Sequence, residues 1–342
     1  IAVYTDFYGR EHPAKPGYRI PEMFAAAQRG DLKGMWIMGE DLLQTDPNTC
    51  HVRDSLKNLE FLVVQELFMT GTAGIADVVF PASSFFEKEG TFTNAERRIQ
   101  KVSRVVEPLS GTKPDGQIVV EMMNAMGYPQ ESWSAAAVLK EIAGIVPFFK
   151  GVRWEELGNN GKQWPVSEDG SDTGILHVKS FKRGKGKFHV WDFEESSELA
   201  QNSHEYPYIL TTGRILEHYN SGTMTRRTPN RELVTEDILI VSIEDAGEKD
   251  IKSGDFVKLF SKRGQIIMKT FVSDTVKPGV LYTTFHFPET SVNYLTGNVG
   301  DEYTLTPEYK VVAVNFEKSL FGRLTIPGCI ANAALIKRLN HP

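Results

Sequence analysis

The apolar residues change their period part-way along this chain, and that change limits the architecture more than any other feature. In the first 126 residues, helical and strand patterns alternate. PEMFAAAQR (Pro21 to Arg29) is rich in helix formers, with Pro in the first turn and Gly30 as a stop signal. It is followed by the short apolar run GMWIMG, the helical pattern HVRDSLKNL and the buried-strand patterns FLVVQ and ADVVFPA. A further helical pattern runs from Asp115 to Met126. Such alternation implies crossover connections and a mostly parallel sheet. From Tyr206 onward strands dominate: YPYILTTG, DILIVSI, DFVKLFSKRGQIIMKTFVS and GVLYTTFHF, punctuated by SGD, KRG and KPG turns.

These patterns predict an α/β fold: a Rossmann-like parallel-sheet domain over residues 1–150, a connecting region over 151–205 and a β-barrel over 206–342. At 342 residues, two cores are expected. The text between Pro129 and His204 is irregular apart from a helix around Ser134 to Ile145, and the basic run Lys182 to Lys187 reads as a solvated hairpin turn.

A formal charge of −6 argues against a general nucleic-acid binder, which needs a concentrated basic surface. Cys50 and Cys329 lie far apart without a CxxC, so neither a disulfide framework nor a cysteine metal site is expected, and a reducing compartment is favoured. No apolar run is long enough to span a membrane and the first residues carry no signal pattern, so the expected location is cytoplasmic. Ile1 is not an initiator residue, which suggests a processed chain or a piece of something longer.

Standard catalytic motifs are missing: no GxSxG, HExxH, P-loop or GxGxxG after a strand. The informative stretches follow strands, where ligands of parallel sheets gather. GEDLLQT places Gly39, Glu40, Asp41 and Thr45 after the first strand; Asp41 or Thr45 could equally cap a helix. QELFMTGT places Gln65, Glu66, Thr70 and Thr72 after the second. The Glu66 carboxylate can accept from the adjacent N–H donors of guanine. Thr70 and Thr72 suit a phosphate or, equally, a helix cap. EKEGTFTNAERRIQ, with Asn94 and the Arg97–Arg98 pair, reads as a surface hairpin, although an arginine fork also suits a phosphate. The loop TGRILEHYNSGTMTRR offers Arg214, His218, Tyr219, Thr223 and Thr225: many donors and few acceptors, as an anionic, heteroatom-rich ligand requires.

In this order, GEDLLQTDPNTCHVRDSL, VVQELFMTGTAGIADVVFPASSFFEKEGTFTNAERRIQ, TTGRILEHYNSGTMTRR and HFPETSVNYLTGNVGDEYTLTPEYK resemble the C-terminal half of the molybdopterin oxidoreductase family, most closely formate dehydrogenase catalytic subunits. The resemblance covers nearly all of the chain from Ile20 to Phe316.

It implies that the α/β region binds one guanine dinucleotide of a bis(molybdopterin guanine dinucleotide) cofactor carrying molybdenum or tungsten, and that the barrel is a double-psi cap over the pterins. Gly39, Glu40, Asp41, Gln65, Glu66, Thr70 and Thr72 match the dinucleotide-lining turns. Arg214, His218, Tyr219 and Thr223 match the cap loop, and Asn293, Tyr309 and Lys310 match late cofactor contacts. Two departures stand out: Glu66 where relatives commonly carry Asp, and Asn220–Ser221 where formate dehydrogenases often carry His-Thr.

The family's four-cysteine 4Fe-4S motif, its Cys or selenocysteine metal ligand and its catalytic histidine have no match here, so no catalytic or metal-ligating residue is expected in this chain. The resemblance implies an N-terminal half carrying those groups and separate iron–sulfur electron-transfer subunits as partners, with formate and CO₂ interconverted by the assembly. Alternatives are another substrate such as nitrate, or a non-catalytic electron-transfer or assembly subunit. A family-free alternative is a plain nucleotide-binding domain joined to a barrel interaction module.

Overall fold

The computed structural model describes residues 1–200, 204–320 and 328–329. Three parallel strands form the first sheet in the order β1 (Gly34–Met38), β2 (Phe61–Glu66) and β3 (Val78–Pro81). β2 is buried along all but its first residue, as a central parallel strand must be. The helices Ile20–Arg29 and Thr49–Lys57 cover the sheet through Phe24, Val52 and Leu56, which share a core with Ile37, Leu62 and Val64. The first helix begins as its sequence predicts: Pro21 occupies its first turn, and Arg19 and Glu22 close a capping box.

The strands β4 (Gly90–Thr93), β5 (Arg98–Val102) and β6 (Lys162–Gln163) form a small antiparallel sheet. Its core joins Ile99 to Leu139, Val152, Leu157 and Val166, so residues on both sides of position 150 pack into one cluster. Arg97 ties this lobe together. Its guanidinium donates to the carbonyls of Trp164, Thr173 and Gly174, the last two at 3.1 and 3.0 Å.

Beyond it comes a closed barrel built from β7 (Tyr208–Gly213), β8 (Ile238–Val241), β9 (Phe256–Phe260), β10 (Gly264–Val272), β11 (Val280–Thr284) and β12 (Val312–Lys318). The order is β10-β8-β11-β7-β12-β9, and β9 returns to pair with β10. The pairs β7–β11 and β8–β10 run parallel and the remaining pairings antiparallel, a mixed closed barrel as the expected cap requires. Its strands alternate strictly where one face is buried: β10 reads buried, partly buried, buried from Gly264 to Thr270. Leu210, Leu239, Leu259, Met268, Leu281 and Phe316 fill the interior with essentially no exposure. A short strand β13 (Gly328–Cys329) adds to β10 at Gly264 and Gln265.

Cys50 is disulfide-bonded, although the sequence separation of the two cysteines argued against a bridge. Sequence distance is a poor guide once the fold is known: the helix carrying Cys50 lies against the barrel, and Cys50 packs on its core. Among the described residues, no helix is long and apolar enough to cross a membrane.

Candidate functional site

The carboxyl ends of β1, β2 and β3 open into a cleft of about 700 Å³ whose other wall is the barrel. Gly39, in the left-handed region at φ 65°, turns the chain out of β1 while its N–H stays on the Gln65 carbonyl at 2.9 Å. The next residues, Glu40, Asp41 and Thr45, line the cleft, as do Gln65 and Glu66 at the end of β2. From the barrel side come Arg214, Tyr219 and Thr223 of the loop after β7, together with Asn293, Tyr309 and Lys310. Stretches up to 271 positions apart in sequence (39 to 310) therefore face one space.

Thr70, Thr72, His218 and Thr225, all singled out from the sequence, do not line it. Thr72 is fully buried and locks the first two strand-end turns together: its N–H and hydroxyl donate to Asp41 Oδ1 at 3.0 and 2.7 Å, while its oxygen accepts from the Leu43 N–H. Thr70 accepts from the N–H of Ala73, the first residue of a short helical turn, so its hydroxyl is engaged by the local backbone. His218 is buried under the cap loop, with Nε2 3.0 Å from the Val234 carbonyl and Nδ1 3.1 Å from the Thr225 hydroxyl. The Arg97–Arg98 hairpin is likewise structural.

Other lining residues escaped the sequence reading. The segment after β3 contributes Ala82, Ser83, Ser84, Phe85 and Lys88, and the helix Asp115–Ala125 contributes Asp115. Asp115 accepts from Gln65 Nε2 at 2.8 Å and pairs with Lys88. The rule that ligands sit beyond strand ends applies to the third strand as much as to the first two, and it points at PASSF.

The cleft is electrically divided. Glu40, Asp41, Glu66 and the adjacent Asp46 gather on the sheet side. Burial pushes Asp46 up to about 6, against a hydrogen bond from Thr45 and with help from Glu40. Burial also raises Glu66, opposed by the Leu67 N–H. The barrel wall carries the cations Arg214, above the Phe285 ring, and Lys310, which donates to the Thr212 carbonyl at 2.7 Å, while Lys88 on the sheet side is paired with Asp115. A ligand with a hydrogen-bond-donating ring at one end and phosphates or electron-rich atoms at the other matches that division.

Among the described residues, two buried polar atoms at the cleft lack partners: Gln65 Oε1 and Ser83 Oγ. Buried polar groups are normally paired, so both point to a polar ligand edge.

The two walls are fastened to each other at the turn Gln44–Asn48. Gln44 Nε2 donates to the Ser221 carbonyl at 2.7 Å, and Asn293 Nδ2 donates back to the Gln44 carbonyl at 2.7 Å. Tyr309 donates its hydroxyl to the Thr45 carbonyl, the Asn48 N–H donates to the Thr296 hydroxyl, and the Arg227 guanidinium lies 4.2 Å from the Phe68 ring centre. Asn293 and Tyr309 thus line the cleft while using their polar ends to hold its walls together.

Residues 6–125 match the family model for molybdopterin oxidoreductase, and residues 208–313, the barrel, match that for the molydopterin dinucleotide binding domain. The chain belongs to the molybdopterin oxidoreductases. Among curated relatives of this molybdopterin oxidoreductase chain, the F420-dependent formate dehydrogenase subunit alpha of Methanocaldococcus jannaschii is 38% identical over 92% of the chain and 47% of the relative. The F420-dependent formate dehydrogenase 2 subunit alpha of Methanococcus maripaludis is 40% identical over 88% of the chain and 45% of the relative. The chain spans about half the length of these relatives, which are parts of larger assemblies by their names as subunits. Acetylene hydratase from Pelobacter acetylenicus shares the fold, with a TM-score of 0.67 at 17% identity over 87% of the chain and 46% of its own.

Proposed function

We propose that this chain is the cofactor-clasping half of a formate dehydrogenase catalytic subunit, interconverting formate and CO₂ together with the remainder of the protein. One observation carries the reading: the strand-end turns and the cap loop, which match the family's cofactor-lining segments, meet at a single cleft with Glu40, Asp41 and Glu66 on the sheet side and Arg214 and Lys310 on the barrel side. The 38–40% identity to formate dehydrogenase alpha subunits supports the choice of formate over other substrates.

The residues present fit a molybdopterin guanine dinucleotide. The unpartnered Gln65 Oε1 and Ser83 Oγ stand ready for polar edges of the ligand, and Glu66 offers a carboxylate to a donor ring such as guanine. When bound, the cofactor with its molybdenum or tungsten supplies the two-electron chemistry. Arg214, Lys310 and Lys88 hold negative charge in place and stabilise an electron-rich ligand, because preorganised cations need no reorganisation when charge develops. The cross-wall clasp at Gln44 and Thr45 holds the two walls in register on either side of the ligand. The 4Fe-4S cluster and the Cys or selenocysteine metal ligand belong, in this reading, to the remainder of the protein, and iron–sulfur subunits receive the electrons.

The test uses the full-length enzyme and its Arg214→Ala variant. Formate-dependent dye reduction, with metal content measured in parallel, is expected in the first and diminished in the second. A metal-loaded enzyme inert toward formate would overturn the substrate; unchanged metal content and rate in the variant would overturn the role of Arg214.

A further inference from the structure

His286 follows the end of β11 and is completely buried. Its ring bridges two points of the cap loop. The Ile215 N–H lies 3.2 Å from Nε2, and the Asn220 carbonyl lies 2.5 Å from Nδ1. A peptide N–H can only donate and a carbonyl can only accept, so Nε2 is bare and Nδ1 carries the proton. A single neutral tautomer satisfies both contacts. A second proton, on Nε2, would point at the Ile215 N–H, where two donors would face each other.

The loop has little freedom to accommodate that clash. Asn220 sits in the left-handed region at φ 49°, and Gly222 follows at φ 71°. A Cβ on Gly222 would fall 2.7 Å from the His286 carbonyl, so the loop is seated directly on this residue's backbone. The backbone of His286 is itself fixed, its N–H donating to Asp237 Oδ1 at 3.1 Å.

The charged and titratable neighbours are few. Asp237 lies below, committed to Thr284, Phe287 and Thr290 as well as to His286. The His218 ring centre is 5.7 Å away, and Arg214 approaches from the loop. Arg226 packs beside Gly222. Burial lowers the His286 pKa from its usual value; the Asn220 hydrogen bond and Asp237 act in the opposite direction, and His218 and Arg214 add to the lowering.

We propose that His286 is the positioning residue of the cap loop, holding Ile215 to Asn220 against the barrel only while its imidazole is neutral, so that acid releases the loop. The loop carries Arg214, Tyr219 and Thr223 to the cleft, so its release removes one wall. That consequence for a cofactor rests on the function proposed above; the tether itself does not.

The sign follows from the direction of the shift. Because the folded value lies below that of the free side chain, the tether is at full strength above the unfolded value and is lost as pH falls through the window between the two. The test is hydrogen–deuterium exchange of peptides spanning Thr212 to Arg227, corrected for intrinsic exchange, with β9 as the internal control, on the wild-type chain, His286→Gln and His286→Ala.

In the wild type, loop protection should fall selectively in acid, by about tenfold per pH unit below about pH 6.5 until the folded value is passed. Glutamine offers one acceptor and one donor without a titrating proton, so His286→Gln should keep the loop protected at both ends of the range. Alanine should leave it open throughout. Wild-type protection that ignores pH, or a glutamine variant that loses it as the wild type does, would overturn the proposal. Should His286→Ala fail to fold, the wild-type and glutamine comparison still decides. Guanine-nucleotide content of the full-length enzyme at each pH forms a separate arm: a loop that opens in acid without loss of nucleotide counts against the cleft's assignment and leaves the tether standing.

Discussion

Tyr309 reaches across the boundary between barrel and sheet to donate its hydroxyl to the Thr45 carbonyl at 3.1 Å. Burial, with Asp46 and Glu40 nearby, raises its pKa well above the usual phenol range, so it remains a donor throughout the working pH range. The same Thr45 carbonyl accepts from Asn293 at 3.2 Å, which makes this short turn the hinge pin of the cleft. Tyr309→Phe should lower unfolding stability by about 1 kcal/mol, the net worth of one buried hydrogen bond, measured by urea denaturation. An unchanged midpoint would mean the contact is incidental.

Asp237 predicts a larger effect. Its carboxylate is fully buried and takes four donors: two hydroxyls, from Thr284 and Thr290, and the peptide N–H groups of His286 and Phe287. Asp237→Asn turns one acceptor oxygen into a donor facing other donors. The cost should be about 3 kcal/mol, since hydrogen bonds to a buried charge are the strong ones and the loss leaves donors unpaired. Equilibrium unfolding of the variant checks this.

Asp46 predicts the opposite sign. Its carboxyl is raised to about 6 in the folded protein, chiefly by burial, so the ionised form costs stability above that pH and the penalty disappears as pH falls toward the ordinary carboxylate value. Asp46→Asn keeps an acceptor for the Thr45 hydroxyl and removes the charge. The variant should be more stable than the wild type at pH 8, by roughly 2 kcal/mol, and lose that advantage near pH 4. Thermal denaturation at the two pH values reads the difference.

The two fold classes were legible because periodicity reports which faces are buried. FLVVQ is apolar throughout and becomes the central parallel strand, while the alternation in QIIMKTF becomes a barrel strand with one face inside. Much of the candidate cleft's lining was legible because turns after parallel strands face outward at one end of the sheet. The Ser83 to Lys88 segment lay in the same kind of place without a conspicuous charge pattern, and Asp115 looked like an ordinary first-turn acid. The roles of Thr70, Thr72 and His218 could not be separated by residue type, because a hydroxyl or imidazole that binds a ligand and one that pins a turn have the same chemistry. The link between Cys50's helix and the barrel depends on how two lobes pack, which local pattern does not encode.

The central claim is that this cleft holds a molybdopterin guanine dinucleotide, and the most direct measurement is the guanine nucleotide released on acid denaturation of the full-length enzyme, wild type beside Arg214→Ala/Lys310→Ala. The account predicts stoichiometric nucleotide in the wild type and a clear loss in the double variant, with the fold intact by circular dichroism. A wild-type enzyme active yet free of guanine nucleotide, or a double variant that retains the full amount, would contradict it.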